Sequence, residues 1–372
     1  MAEPLKNLYD EPFLKMFGNI VHSAYTSFDQ EGFIKSVMAN PWEELSLKER
    51  IRKITHSLGA FLPASYPQAL TILHKVNESC SGFPYLILPD FVEVYGQAEE
   101  HWEVSMQALE AFTSHSSAEF AVRPFILSHP DRMMEQMARW AQSEDEHVRR
   151  LASEGCRPRL PWGQALVIFK KDPSPIMRIL EQLKADPSLY VRKSVANNLN
   201  DIAKDHPGLV VKTARRWLGE NAYTNWIVRH GCRTLIRQVN PEVLALFGYA
   251  NPEGTAELVE QAVVEVRPGT VRMGEECLLR YSLVVLGEGA HRIRIEYGID
   301  FVKSGGKVSR KKFLLSDKTV PGGKRVEGSR THRWTDLTTR KHYPGLHRIV
   351  LLVNGQETAS TELMLTDLKL EQ

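Results

Sequence analysis

The spacing of apolar residues divides the chain into a front part of helical period and a rear part of strand period. In the front part, Pro41–Leu58 places Trp42, Leu45, Ile51, Ile54 and Leu58 at mixed three- and four-residue steps, the mark of an amphipathic helix. Ala69–Val76 and Val104–Phe112 carry the same mark. Ser81–Gln97 is apolar but broken by prolines, which predicts short helices and turns. From about Ser116 the pattern recurs in four cores: Glu119–Leu127, His147–Gly155, Tyr190–Leu199 and Trp226–Arg237. Each holds a Val-Arg dipeptide, and the arginines Arg123, Arg149, Arg192 and Arg229 follow one another at 26, 43 and 37 residues. One helix per core at an uneven spacing near 40 is the signature of stacked helical repeats of HEAT type. In such a solenoid one helix of each pair lines a concave binding face.

The third core divides its labour by face. Val191, Val195, Leu199 and Ile202 form the packed side, and Asp186–Ser188 before them is a helix start signal. Lys193, Asn197, Asn200 and Asp201 share another side, which is either a solvated polar face or a binding face. Two neighbouring asparagines are mediocre helix formers and tilt the choice toward binding.

After Pro241 the period changes. Residues 251–257 read as a linker, and from Glu260 onward short runs of period two dominate, among them Cys277–Leu286, His291–Val302 and His347–Val353. Turn signals at Arg267–Thr270, Gly287–Ala290, Ser304–Lys307, Pro321–Lys324 and Asn354–Gln356 separate them. This pattern predicts about seven strands in an antiparallel, immunoglobulin-like sandwich without the Cys–Trp–Cys framework of antibody domains. The fold class is thus multidomain α plus β: a HEAT-like α-helical repeat solenoid over residues 1–250, followed by a C-terminal immunoglobulin-like β-sandwich over 258–372. Within the solenoid, residues 1–115 read as a helical cap and 116–250 as the repeats.

Composition narrows the function. The 372 residues contain no apolar run near the ~18 needed to span a membrane, and the N-terminus has no apolar stretch typical of a secretory signal. Cys80, Cys156, Cys232 and Cys277 are scattered without ligand spacing, which predicts reduced thiols, a cytoplasmic protein and no bound metal. The net charge of +2 conceals a segregation. Residues 1–122 hold 8 cationic and 16 acidic side chains, residues 123–237 hold 20 and 12, and residues 303–348 hold 13 and 3. Two basic blocks balanced by acid elsewhere suit two surfaces meeting one polyanion, and the acid-rich first block is expected to be structural. In the second basic block, Arg333 with Trp334 and Arg340 with Tyr343 mix cations with aromatics, a mixture suited to phosphate contact and stacking, while Trp334 suits the core equally well.

Ser143–Trp162 concentrates the candidate chemistry. Acidic residues at 144–146 suit a helix N-terminus, and Val148, Leu151, Ala152 and Gly155 form one packed face. Arg149, Arg150, Glu154 and Arg157 lie off that face. Pro158 and Pro161 then force a rigid loop that carries Arg157 and Arg159 and ends in Trp162. Such a loop suits a surface that holds phosphates and sugars, and equally a solvated helix followed by a buried tryptophan.

The segments SAEFAVRPF, HVRRLASEGCRPRLPWG and YVRKSVANNLNDIAKDHP resemble the DNA alkylation repair glycosylases of the AlkD/AlkC superfamily. The helical body followed by an immunoglobulin-like domain resembles the AlkC branch over essentially the whole chain. That resemblance implies a monofunctional glycosylase without cofactor. It would hydrolyse the N-glycosidic bond of cationic N3-alkylated bases, 3-methyladenine and 3-methylcytosine, in double-stranded DNA without flipping the base into a pocket, and would act as a monomer in the bacterial cytosol. Carried over by motif, Asp201, Glu119, Glu154 and Trp162 would form the active site. Asp201 would be the principal carboxylate, Glu119 and Glu154 would support it or place a water, and Trp162 would lie against the sugar and the cationic base. The DNA contacts would be Arg123, Arg149, Arg150, Arg157, Arg159, Arg192, Lys193, Asn197 and Arg229 in the repeats, and Lys311, Lys312 and Arg333 in the sandwich. An alkylated base is already a good leaving group, so carboxylates that stabilise an oxocarbenium-like sugar suffice. The alternative is a non-catalytic HEAT-repeat scaffold that binds DNA or a protein. It would not need these carboxylates.

Overall fold

Each repeat core folds as a helix, and the four span Val122–Ser128, Glu146–Glu154, Leu189–Ile202 and Ala222–Gly231. The computed structural model describes residues 4–249, 258–337 and 340–367. Helix Leu189–Ile202 packs between Glu146–Glu154 and Ala222–Gly231, which gives the repeats their stacked order. The helices between them, Pro130–Trp140, Ser174–Leu183 and Pro207–Trp217, begin at or just before a proline, where a missing N–H costs nothing. Two of these end in a buried tryptophan whose indole N–H donates to a glutamate: Trp140 to Glu110 at 2.9 Å and Trp217 to Glu181 at 2.9 Å.

The Val-Arg dipeptides turn out to be repeat hardware. The valines, Val122, Val148, Val191 and Val228, are all buried, each burial being worth roughly 1.5–3 kcal/mol. Arg149 donates to the carbonyls of Ser143 and Glu144, and Arg192 donates to those of Asp186 and Pro187. Each arginine therefore folds back over the turn that starts its own helix. Arg149 also clamps Asp186 in the next turn, with Nε at 2.6 Å.

In the acid-rich front of the chain, Leu47–Phe61, Tyr66–Asn77 and Trp102–His115 are helices, and 83–95 forms a short 3-10 turn leading into Ile87–Tyr95.

Among the described residues eight strands follow: β1 (Val259–Arg267), β2 (Thr270–Arg272), β3 (Glu276–Val285), β4 (Ala290–Val302), β5 (Val308–Pro321), β6 (Arg325–Arg333), β7 (Gly345–Val353) and β8 (Gln356–Thr366). They form two sheets, β1-β3-β6 and β2-β8-β7-β4-β5. Leu279, Leu283, Ile295, Ile299, Leu351 and Leu363 meet between them in one core, the packing of a sandwich. All pairings are antiparallel except β2 with β8. Trp334 is fully buried in this core beside Phe301, so of the two roles open to it the core one holds and stacking on a ligand does not.

Two compact units divide the chain, Met1–Gly231 and Cys232–Gln372. The division falls ahead of the expected linker at 251–257, which lies outside the described residues. The short helices Arg233–Arg237 and Pro241–Leu246 go with the sheets. The Tyr249 hydroxyl donates to Asp317 at 2.7 Å, and Gly355, at φ 88°, leaves room for Val239 where any Cβ would collide.

Candidate active site

Helix Glu146–Glu154 is capped by Asp145, which accepts from the His147 N–H at 2.8 Å. Its buried face ends at Gly155, where a Cβ would stand 2.7 Å from a Val122 methyl, so only glycine permits this approach. Glu154 is the last residue of that helix, and Asp201 is the last but one of Leu189–Ile202. Carboxylates at helix C-termini face the negative end of the helix dipole and are disfavoured there. Cations hold them in place.

The result is an unbroken chain of alternating charge. Arg150 meets Glu119 at 2.6 Å and Glu154 at 3.6 Å. Arg157 meets Glu154 at 2.6 Å and Asp201 at 2.9 Å, and Lys204 meets Asp201 at 3.1 Å. Three carboxylates and three cations thus neutralise one another. For Arg150 and Arg157, burial alone would lower the guanidinium pKa, yet both end raised, because Glu119 and Glu154 surround the first and Glu154 and Asp201 the second. The Arg150 guanidinium also lies 4.8 Å from the centre of the Tyr190 ring.

The carboxylates are not equally available. Asp201 is 3% exposed, and its two oxygens are taken by Arg157 and Lys204. One Glu154 oxygen accepts from Arg157 and the other from the Ser194 hydroxyl at 2.6 Å. Glu119 uses a single oxygen, Oε2, for both Arg150 and the Ser117 hydroxyl. Its Oε1 has no hydrogen-bond partner among the described residues.

Trp162 stands at the end of the rigid loop with φ 62°, a conformation costly for a bulky residue by roughly 1–3 kcal/mol. It is 63% exposed, which rules out the alternative of a buried tryptophan. The loop is held from below by Arg123. This residue is 1% exposed and donates to the carbonyls of Gln164 at 2.6 Å, Gly155 at 2.9 Å and Arg157 at 3.1 Å. Burial pulls its pKa down to about 10. Trp162, Phe120, Glu119, Glu154 and Arg157 line one open recess of about 250 Å³. Asp201 is not among its lining residues and reaches it through Arg157.

The structure therefore sorts the expected contacts. Arg123 is a buried pin of the loop and cannot reach DNA. Arg149 and Arg192 are spent on the repeat turns, and Arg150 and Arg157 on the carboxylates. Arg159 pairs with Asp205 at 2.6 Å, and Arg333 pairs with Glu276 at 3.1 Å. Asn197 and Arg229 are half-buried, and Lys193 and Lys311 are exposed with Lys312 beside the latter on β5. Ser117, Ser194 and Lys204 belong to the charge chain and were not anticipated. Lys204 alone had a visible signal, its place three residues after Asp201.

Among the described residues no cluster could hold a metal ion, and no helix is long and apolar enough to cross a membrane.

Similarity to known proteins extends over most of the chain. The family profile described as "DNA alkylation repair enzyme" matches residues 93–235, and that described as "Uncharacterised protein YhaZ, C-terminal Ig-like domain" matches 260–367. The chain is 43% identical over 352 residues to the uncharacterized protein YhaZ of Bacillus subtilis (strain 168), covering 95% of this chain and 96% of that protein. It is also similar to the structure of the Pseudomonas fluorescens alkylpurine DNA glycosylase AlkC bound to DNA containing an abasic site analog. The TM-score is 0.92 and the identity 40%, over 98% of this chain and 100% of that one.

Proposed function

The chain belongs to the DNA alkylation repair enzyme family, and on that premise we propose that it is a monofunctional DNA glycosylase. It acts as a monomer on double-stranded DNA and releases cationic N3-alkylated bases, 3-methyladenine and 3-methylcytosine, without drawing them into a pocket. The observation that carries this reading is the recess where the unpaired Oε1 of Glu119 and the charge chain meet the exposed ring of Trp162.

Methylation at N3 makes the base cationic. When the C1′–N bond breaks, its electron pair neutralises the base, and the positive charge passes to the sugar. The fixed carboxylates of Glu154 and Asp201, each at a helix C-terminus, favour that charge in a site that needs no reorganisation. Trp162 offers its ring face to the cation. Water then adds to C1′, and Glu119 Oε1 is the oxygen free to orient it and take its proton. This division narrows water placement, which the motifs left between Glu119 and Glu154, to Glu119, and withdraws the principal role from Asp201. Asp201 instead fixes Arg157 and through it Glu154.

Glu119→Gln tests the assignment. The substitution is expected to lower the single-turnover rate of 3-methyladenine release by about 10²–10⁴-fold, the usual range for general acid–base groups, while binding to an abasic duplex persists. Asp201→Asn should also lose base release while still binding DNA. Release at the wild-type rate by Glu119→Gln would remove the carboxylate from the mechanism.

A further inference from the structure

Lys48 lies in the acid-rich part of the chain that the charge distribution marked as structural. It is the second residue of helix Leu47–Phe61, and its ammonium sits 4.4 Å from the centre of the Phe120 ring. Neighbouring cations are engaged. Arg50 donates to Glu43, Arg52 to Asp90 at 3.1 Å and to Glu93, and Lys6 to the carbonyls of Glu43 and Leu45. Lys48 has no ion pair within contact distance and no hydrogen bond among the described residues; Glu93 and Asp90, both bound by Arg52, act on its charge from further off. It is an exposed cation parked over a ring that borders the recess holding Glu119 and Glu154.

Two recesses meet at Lys48, and Trp162 lines both. The larger is an open groove of about 610 Å³ with Leu5, Leu47 and Trp162 as its apolar surface and Lys6 and Lys48 as its cations. No acidic side chain lines it. Leu5 is 46% and Trp162 63% exposed, so apolar surface is left open beside the two cations, while the carboxylates nearest Lys48, Asp90 and Glu93, face the smaller recess. A deoxyribose-phosphate backbone has the complementary character, with an apolar sugar edge and an anion at each step.

We propose that Lys48 binds one DNA phosphate next to the nucleotide seated at Trp162, with the adjoining deoxyribose lying over Leu5 and Leu47. Lys48 is then a positioning residue: it sets how far the strand advances past Trp162, and hence where C1′ comes to rest relative to Glu119. This rests on the proposed glycosylase reading, because it takes the Trp162 recess as the place of the lesion.

The test uses duplexes with an abasic-site analogue and a single neutral methylphosphonate, moved one position at a time along the lesion strand. The wild-type protein should lose on the order of tenfold in affinity at the position Lys48 holds. In Lys48→Gln that position should become insensitive while the others keep their penalties. The slope of log K against log[salt] should be shallower by about 0.9. Lys48→Arg should restore both. An interference pattern in Lys48→Gln that matches the wild type, or uniform weakening at every position, would overturn the proposal. Base release by the wild type, measured in parallel, separates the two claims. Release with an unmoved pattern defeats only the Lys48 contact, and a moved pattern without release defeats only the glycosylase reading.

Discussion

Arg123→Met separates a structural arginine from a DNA ligand at a position where the sequence alone suggests the second. Methionine approximates the volume of the arginine stem but leaves the carbonyls of Gly155, Arg157 and Gln164 without their donor. Three hydrogen bonds from a charged group are worth roughly 1.5–3 kcal/mol each. Against this stands the burial of the guanidinium. A pKa drawn from 12.5 to about 10 corresponds to roughly 3 kcal/mol of disadvantage for the charged form, which the substitution relieves. The net loss is about 3 kcal/mol. For a unit of this size that lowers the melting temperature by roughly 6–12 °C. Calorimetry measures it, and fluorescence anisotropy on an abasic duplex from low to moderate salt measures binding. The expected result is a lower melting temperature with an unchanged salt slope, together with slower base release because the loop beneath Trp162 is loosened. An unchanged melting temperature with a slope shallower by about 0.9 would show that Arg123 binds phosphate and would refute the reasoning.

Trp162→Ala should leave stability within about 0.5 kcal/mol, since the ring is exposed. Base release should fall by about 5- to 150-fold, the worth of one stacking contact, and an unaffected rate would exclude the ring from the site. Neutralising Lys311 and Lys312 on β5 should flatten the salt dependence of DNA binding by about 1 unit per lost phosphate contact. An unaltered slope would remove both from the interface. His332 lies buried beneath Tyr297 and Trp334, and desolvation, aided by Arg340 and His342, lowers its pKa to about 4. The unfolded imidazole takes its proton near pH 6.5 while the folded one refuses it until about pH 4. Stability is therefore complete above pH 6.5 and declines as pH falls through that window, by up to about 3 kcal/mol. A His332 titration midpoint near 6.5 in the folded protein by NMR would contradict this.

Periodicity made the architecture legible, but it did so unevenly. The helices of the repeats announced themselves through Val148, Leu151, Val191 and Val195, because one-sided burial leaves a three- and four-residue trace. Strand β6 left none. Arg325, Glu327, Ser329 and Arg330 are polar, and only Val326 and His332 point into the core. Strand β2 is three residues long, too short to show a period. The carboxylates Glu119, Glu154 and Asp201 could be named from motif, and the structure joins them through two arginines. What sequence could not show is how each charge is spent. Arg149 and Arg192 look like binding residues because they recur, yet both side chains close the turn that starts their own helix. Lys48 was hidden for the opposite reason, a single cation within a stretch of net negative charge. Spatial pairing decides availability, and pairing partners such as Arg157 and Asp201 stand 44 residues apart.

The most direct test of the central claim is release of free base from methylated duplex DNA by the wild-type protein, with 3-methyladenine, 3-methylcytosine and 7-methylguanine resolved and strand integrity followed in the same samples. The expected result is release of the two N3-alkylated bases with the strands left intact. Tight binding to the methylated duplex with no base released would contradict the account and leave the charge chain of Glu119, Glu154 and Asp201 a purely structural feature.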